Sequence, residues 1–114
     1  MTDMQTQPQL EQRVALPSSE QLAILVTFQA GAKFGIEPIE IAKRYQEHAR
    51  DEEAKLAWHA FKNEWQLGGT FATAVTVTGF FTQDVLRILN ILEDLDPGVE
   101  AAIAYLSAVT PRKP

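Results

Sequence analysis

The chain of 114 residues contains no cysteine, which excludes disulfide bonds, thiolate zinc sites and cysteine nucleophiles. Because small secreted domains often depend on disulfides, their absence favours a cytoplasmic protein. Histidine is almost as scarce, with only His48 and His59. On one straight helix these two would lie roughly 16 Å apart, too far to share a metal ion. We therefore expect neither a metal ion nor another cofactor.

Basic residues are outnumbered by acidic ones, with 10 Lys and Arg against 15 Asp and Glu and a formal net charge of −5. Non-specific affinity for nucleic acid comes from Lys and Arg that neutralise phosphates. The charge balance therefore disfavours nucleic acid as a partner. Acidity of this size instead helps to keep a small protein in solution.

A long apolar run is also missing. The uncharged stretch from Leu67 to Gln83 is rich in threonine and glycine and is too polar and too short for a membrane span. Residues 1–16 lack the apolar segment of a secretory signal. Since 46% of the residues are hydrophobic and 22% are charged, the composition is that of a globular domain without a membrane partner.

Recognisable catalytic patterns are absent as well. The acidic residues of Asp51–Glu53 are contiguous, and neighbouring helical side chains point in different directions, so they do not converge on one substrate atom. Gly68 and Gly69 are not followed by the Lys-Ser or Lys-Thr pair of a phosphate-binding loop. We predict that the protein is not an enzyme.

The first helix is expected to begin at Ser18, because Ser18 and Gln21 have the spacing of a capping box. The preceding residues 1–17 are rich in Gln, Thr and Pro and are predicted to form a disordered N-terminal arm. Gly35 is a natural end for this helix, and Pro38 is a suitable first-turn residue for the second.

A third helix is predicted from about Asp51 to Leu67. It carries apolar residues at helical spacing, namely Ala54, Trp58, Phe61 and Trp65. Nothing between Glu47 and Ala54 obviously breaks a helix, so the second and third helices are either continuous or separated by a short bend.

The segment Thr70–Gly79 permits two interpretations. Its β-branched residues favour a strand, but the chain offers no second strand to pair with it. We predict a helix ending near Gly79. The strand interpretation would require a second copy of the chain to pair with this segment across a dimer.

Another helix is expected to begin at Thr82 as its N-cap, with Asp84 in the favourable first turn. Asp96 and Pro97 then form an N-cap and first-turn pair for the last helix, which Pro111 stops. The predicted fold is an all-α compact bundle of four to six helices. It forms one domain over residues 18–110, after the disordered arm and before a tail at 111–114.

An excess of apolar surface predicts a function. The helix after Thr82 is apolar around most of its circumference, and the segment Phe71–Phe81 is apolar and uncharged. Because so short a chain is not expected to cover both, we predict a small regulator, adaptor or inhibitor of another protein that forms a homodimer. The predicted interface consists of large apolar residues: Trp58, Trp65, Val75, Phe80, Phe81, Leu86, Leu89 and Leu92. The aromatic residues among them are most economically placed in the core, and a surface cluster at an interface is the alternative.

Two other functions remain open. One is a DNA-binding transcriptional regulator whose phosphate contacts come from a weakly basic face of the second and third helices: Lys43, Arg44, Arg50, Lys55 and Lys62. Between Glu37 and Glu64, however, seven acidic residues outnumber these five bases, and the glycine-containing turn of a helix-turn-helix is missing. The other is an enzyme or ligand carrier with a pocket among the aromatic residues that uses His59 or Tyr45.

Overall fold

The computed structural model describes residues 15–92 and 95–110, with the backbone alone at Leu95 and Asp96. Within these ranges the chain forms six helices and no strand, which confirms the predicted all-α compact bundle. The helices are α1 (Ser18–Lys33), α2 (Pro38–Glu47), α3 (Glu52–Gln66), α4 (Phe71–Thr76), α5 (Gln83–Leu92) and α6 (Leu95–Val109). Residues 1–14 of the arm predicted over residues 1–17, and the predicted tail at 111–114, lie outside the described residues.

The folded domain begins earlier than predicted, at residues 15–17. The Leu16 amide donates a hydrogen bond to the Phe80 carbonyl over 2.8 Å, and the Leu16 carbonyl accepts one from Gln21 Nε2 over 2.7 Å. The capping box expected between Ser18 and Gln21 is not formed, because Gln21 points inward and is 1% exposed. The Gln21 side chain also accepts from the Thr82 amide over 3.3 Å and thereby joins three segments of the chain.

A short turn separates α2 from α3, which settles the question of their continuity. The second helix ends at Glu47, and the third begins after Asp51, whose carboxylate accepts from the Ala54 amide over 2.8 Å. Such a cap satisfies an amide that has no partner within the helix. The acidic residues at this position therefore mark the start of a helix, as expected.

The ambiguous segment Thr70–Gly79 is helical. The Thr70 hydroxyl accepts from the Thr73 amide, and the Thr73 hydroxyl accepts from the Thr70 amide, which completes a capping box. Gly79 follows the helix with a φ of 75°, a conformation that glycine adopts without strain. Local capping and a glycine stop therefore prevail over the strand preference of β-branched residues.

Of the last two helices, α5 begins as predicted and α6 begins earlier than predicted. The carbonyl of Thr82 accepts from the Leu86 amide, in agreement with its predicted place at the start of α5. Helix α6 begins at Leu95, so Asp96 lies inside the first turn rather than at its cap. Pro97 fits there because the first amides of a helix have no partner within it.

The six helices form a closed ring in which each packs against the next and α6 returns to α1. Helix α1 also reaches the interior of this ring, since the Phe28 ring lies against Trp58, Phe61 and Phe71, with centroids 6.2, 5.5 and 5.0 Å away. Offset and edge-on ring pairs of this kind add to the stability that burial provides. No helix in the described ranges combines the length and the apolar character needed to cross a membrane.

Candidate interaction surface

Most of the predicted interface lies inside the subunit. Trp58, Val75, Phe80, Phe81 and Leu89 are all buried in the core, so their side chains do not reach a second molecule. The prediction that they form a free surface is therefore corrected. The short α4 and the turn after it fold onto the core more completely than predicted, so less apolar surface is left exposed than expected.

The other three predicted interface residues retain some exposure. Trp65 and Leu86 are half-buried and pack against the core, while Leu92 is 41% exposed. The neighbouring Ile91, which was not among the predicted residues, is 70% exposed. A small part of α5 therefore remains available to a partner.

A second exposed apolar region lies where α1 turns into α2. Phe34 is 81% exposed and Ile36 is 47% exposed, and they flank Gly35, whose φ is 76°. Val26 on α1 is also exposed. Water contacts these side chains in the isolated subunit, and exposed apolar side chains that lie together mark contact sites for other molecules.

An open groove adjoins this region, between α1 and α2. Its volume is about 630 Å³, within the range of binding clefts. The groove follows one face of α2, with Thr27 as the contribution of α1, and its lining residues are Thr27, Ile36, Glu40, Ile41, Arg44, Tyr45 and His48. We call this the α1–α2 groove.

Gly31 on α1 lies close to Ile41 at the base of the groove. A β-carbon placed on Gly31 would lie 2.5 Å from Ile41 Cδ1, so a larger residue there would require the end of the isoleucine side chain to move. Gly31 and Ile41 are both buried. The absence of a side chain at Gly31 leaves room for the end of the Ile41 side chain against α1.

Tyr45 forms a rigid part of the floor. One face of its ring stacks on Trp58, with centroids 4.7 Å apart and an interplanar angle of 9°. Its hydroxyl lies 3.3 Å from Thr27 Oγ1, and that hydroxyl donates in turn to the Ala23 carbonyl over 2.8 Å. Because both hydroxyls have partners within the protein, this part of the floor offers mainly apolar contact.

Charged side chains form the α2 edge of the groove. Glu40, Arg44 and His48 recur at four-residue spacing and are all exposed. His48 Nδ1 lies 3.0 Å from the Arg44 carbonyl, and a carbonyl can only accept, so Nδ1 carries the proton and Nε2 is directed elsewhere. The edge therefore presents a carboxylate, then a guanidinium, then an imidazole nitrogen.

The predicted nucleic-acid contacts are distributed over α2, α3 and the turn between them. Lys43 and Arg44 are adjacent on α2 but point in different directions, because successive helical residues are rotated by about 100°. Arg50 lies in the turn after α2, and Lys55 and Lys62 belong to α3. Acidic residues of the same two helices lie between them, as in a solvated surface.

The residues proposed for an enzyme or carrier are separated as well. Tyr45 lines the groove, but His59 is exposed on α3 and lies 3.4 Å from the Asn63 amide nitrogen. Among the described residues, no group of three or more His, Asp or Glu side chains has the geometry of a metal site. The aromatic residues expected to line a pocket instead pack against one another.

One titratable pair stands apart from the groove. The Tyr105 hydroxyl on α6 donates to Asp84 Oδ2 on α5 over 2.8 Å. This hydrogen bond to the carboxylate, assisted by partial desolvation and by the carboxylate charge, raises the pKa of Tyr105 above its ordinary value of 10.0. The pair joins the two helices, and both residues are accessible to solvent.

Sequence reasoning missed most of the groove residues. Ile36, Glu40, Arg44 and His48 recur every four residues, and this spacing was a usable signal for one shared helix face. The depth of the groove was not predictable, because it depends on where α1 lies against α2. The chain matches no protein-family model, no curated protein and no solved structure.

Proposed function

We propose that this chain is a non-enzymatic protein-interaction module, a small regulator, adaptor or inhibitor whose contact surface is the α1–α2 groove with Phe34 and Ile36 at its end. The observation that carries the proposal is the exposure of these two side chains, 81% and 47%, beside a preformed apolar floor. Large apolar anchors at the centre of a contact surface supply most of the affinity in protein complexes.

The rigid floor supports the same proposal. Tyr45 is held by its stack on Trp58 and by the hydrogen bond with Thr27. A surface that is already ordered loses less conformational entropy when a partner binds. The cysteine-free composition supports a cytoplasmic setting for this interaction.

Self-association is a second candidate, and it rests on α5. Ile91 and Leu92 are exposed on this helix, and Leu86 lies half-buried on it. A stable dimer buries about 800 Å² on each partner, so these residues need further contacts around them. This interface would be smaller and differently placed than the one predicted from the sequence.

Site-directed crosslinking distinguishes the two surfaces, and a chain without cysteine suits it well. Three variants with a single cysteine are each labelled at that thiol with a photoreactive benzophenone: Ile36→Cys, Ile91→Cys and Ser107→Cys. Ser107 is exposed on α6, and the change from serine to cysteine is nearly isosteric, so it is the matched control. The labelled proteins are irradiated in extract of the native host and also alone.

A discrete product of higher mass from position 36, absent from position 107, is the expected result. A product of twice the subunit mass from position 91, formed by the protein alone, would instead identify a homodimer through α5. Equal labelling from all three positions, or no product from any of them, would contradict the proposed function.

A further inference from the structure

We propose that the α1–α2 groove binds an amphipathic α-helix of another protein, and that this helix carries a carboxylate facing Arg44. The inference deepens the proposed function and rests on it. It follows from the shape of the groove, from the extent of exposed apolar surface around it and from the order of charges along its edge.

The shape of the groove fits a helix. Its lining along α2 and its C-cap runs from Glu40 to His48, eight residue steps and therefore roughly 12 Å at the helical rise. Two adjoining helices leave a furrow between them into which the ridge of a third helix packs, as in bundles. The anchors of such a ligand helix recur three or four residues apart and occupy one hydrophobic groove.

The α1 side of the groove permits a close approach. Ala23, Thr27, Ala30 and Phe34 recur three or four residues apart and are exposed, so they lie on one side of α1 together with the groove-lining threonine. None of them is charged. Small side chains allow the backbone of a docking helix to come near, and the Phe34 ring provides an apolar contact at one end.

The exposed apolar surface favours a macromolecule over a small molecule. Phe34 and Val26 are exposed but do not line the groove. A metabolite held inside the groove would leave both in water. A docking helix that lies along the groove extends beyond it and covers Phe34 as well.

The charged side chains along the edge of the groove determine which kind of side chain the partner helix carries on the flank that faces them. Glu40 repels a carboxylate at one end of the edge, whereas the guanidinium of Arg44 stands one turn further on. Guanidinium groups form directed, charge-assisted hydrogen bonds with carboxylates. An acidic side chain on the partner therefore faces Arg44 and avoids Glu40.

Two model peptides test this inference with the full chain. Both are fluorescently labelled and helical, with leucine at i, i+4, i+7 and i+11. One carries glutamate and the other glutamine along one flank of the leucine seam. Binding is measured by fluorescence anisotropy at low salt for the wild type and for Arg44→Gln, Glu40→Gln and Lys43→Gln.

Lys43→Gln is the matched control, since it removes a positive charge from an exposed position of the same helix that does not line the groove. We expect the glutamate peptide to bind about fivefold more tightly than the glutamine peptide, the effect of one partly exposed ion pair. Arg44→Gln should abolish this difference, Glu40→Gln should enlarge it, and Lys43→Gln should leave it within about twofold.

Several results would overturn the inference. The inference is wrong if the two peptides bind with equal affinity, if neither peptide binds, or if Arg44→Gln keeps the preference for the glutamate peptide. Stabilisation by decanoate without binding of either peptide would assign the groove to a small amphipathic acid. A dimer in sedimentation velocity that Arg44→Gln dissociates would place a second copy there. If the peptides fail while position 36 still crosslinks to a host protein, the interaction module stands and only the class of its partner is wrong.

Discussion

Replacement of Gln21 by alanine should destabilise the fold more than any exposed glutamine replacement. Gln21 is 1% exposed, and its side-chain amide donates to the Leu16 carbonyl and accepts from the Thr82 amide. Alanine removes both hydrogen bonds and leaves these two backbone groups without their partner. Leu16, just before α1, and Thr82, at the start of α5, are then no longer joined through the Gln21 side chain.

The expected magnitude follows from the two hydrogen bonds. A buried polar group that loses its partner costs about 1–3 kcal/mol. Both bonds are only partly buried, so water recovers some of the loss, and we expect a decrease of roughly 2–4 kcal/mol in the free energy of unfolding. This is a large share of the about 5–15 kcal/mol that stabilises a typical domain.

Urea unfolding followed by circular dichroism measures this change. For a slope of about 1–3 kcal/mol per molar, the midpoint should fall by about 1 M or more. Gln83→Ala, at an exposed position of α5, is the control and should change the free energy by no more than about 0.5 kcal/mol. Gln21→Leu separates packing from hydrogen bonding, since it fills space without donating or accepting.

A decrease below about 1 kcal/mol in Gln21→Ala would refute the proposed role of the hydrogen bonds. Full stability in Gln21→Leu would show that side-chain volume alone explains the position.

Three further predictions concern the core, one titratable pair and nucleic acid. Leu89→Asp places a charge in the core and should abolish the cooperative unfolding transition, whereas Ile91→Asp on the exposed side of the same helix should keep it; a folded, monomeric Leu89→Asp would contradict the observed packing. The raised pKa of Tyr105 means that its hydrogen bond with Asp84 adds to the stability of the fold. This contribution is fully present below pH 10.0 and is lost as the pH rises through the raised pKa. A titration of tyrosine absorbance at 295 nm should show the late ionisation, and Asp84→Asn should remove it. Labelled duplex DNA at low salt should show no binding, since acidic residues lie among the basic ones, and salt-sensitive binding there would restore the DNA-binding alternative.

Helix boundaries could be predicted where a local signal sets them. Asp51 caps α3, Thr70 and Thr73 cap α4, and Gly79 follows α4 in the left-handed region. These signals depend on residues a few positions apart, so a sequence contains them in full. The same reasoning fails for Gln21, because its partners Leu16 and Thr82 come together only in the folded chain.

The interaction surface was less predictable for a related reason. The excess of apolar residues predicts Trp58, Phe80 and Leu89 at an interface, yet all three are buried in the subunit. The number of apolar residues does not reveal how helices share them. The groove is lined by Thr27 of α1 and by residues of α2, and the way in which these two helices meet is a tertiary feature that helical spacing alone does not specify.

Amide hydrogen exchange of the protein, alone and with the partner that position 36 crosslinks, tests the central claim most directly. If a partner occupies the α1–α2 groove, exchange should slow along residues 23–48 and stay unchanged along α5. Slower exchange confined to α5, with no change in α2, would contradict the account.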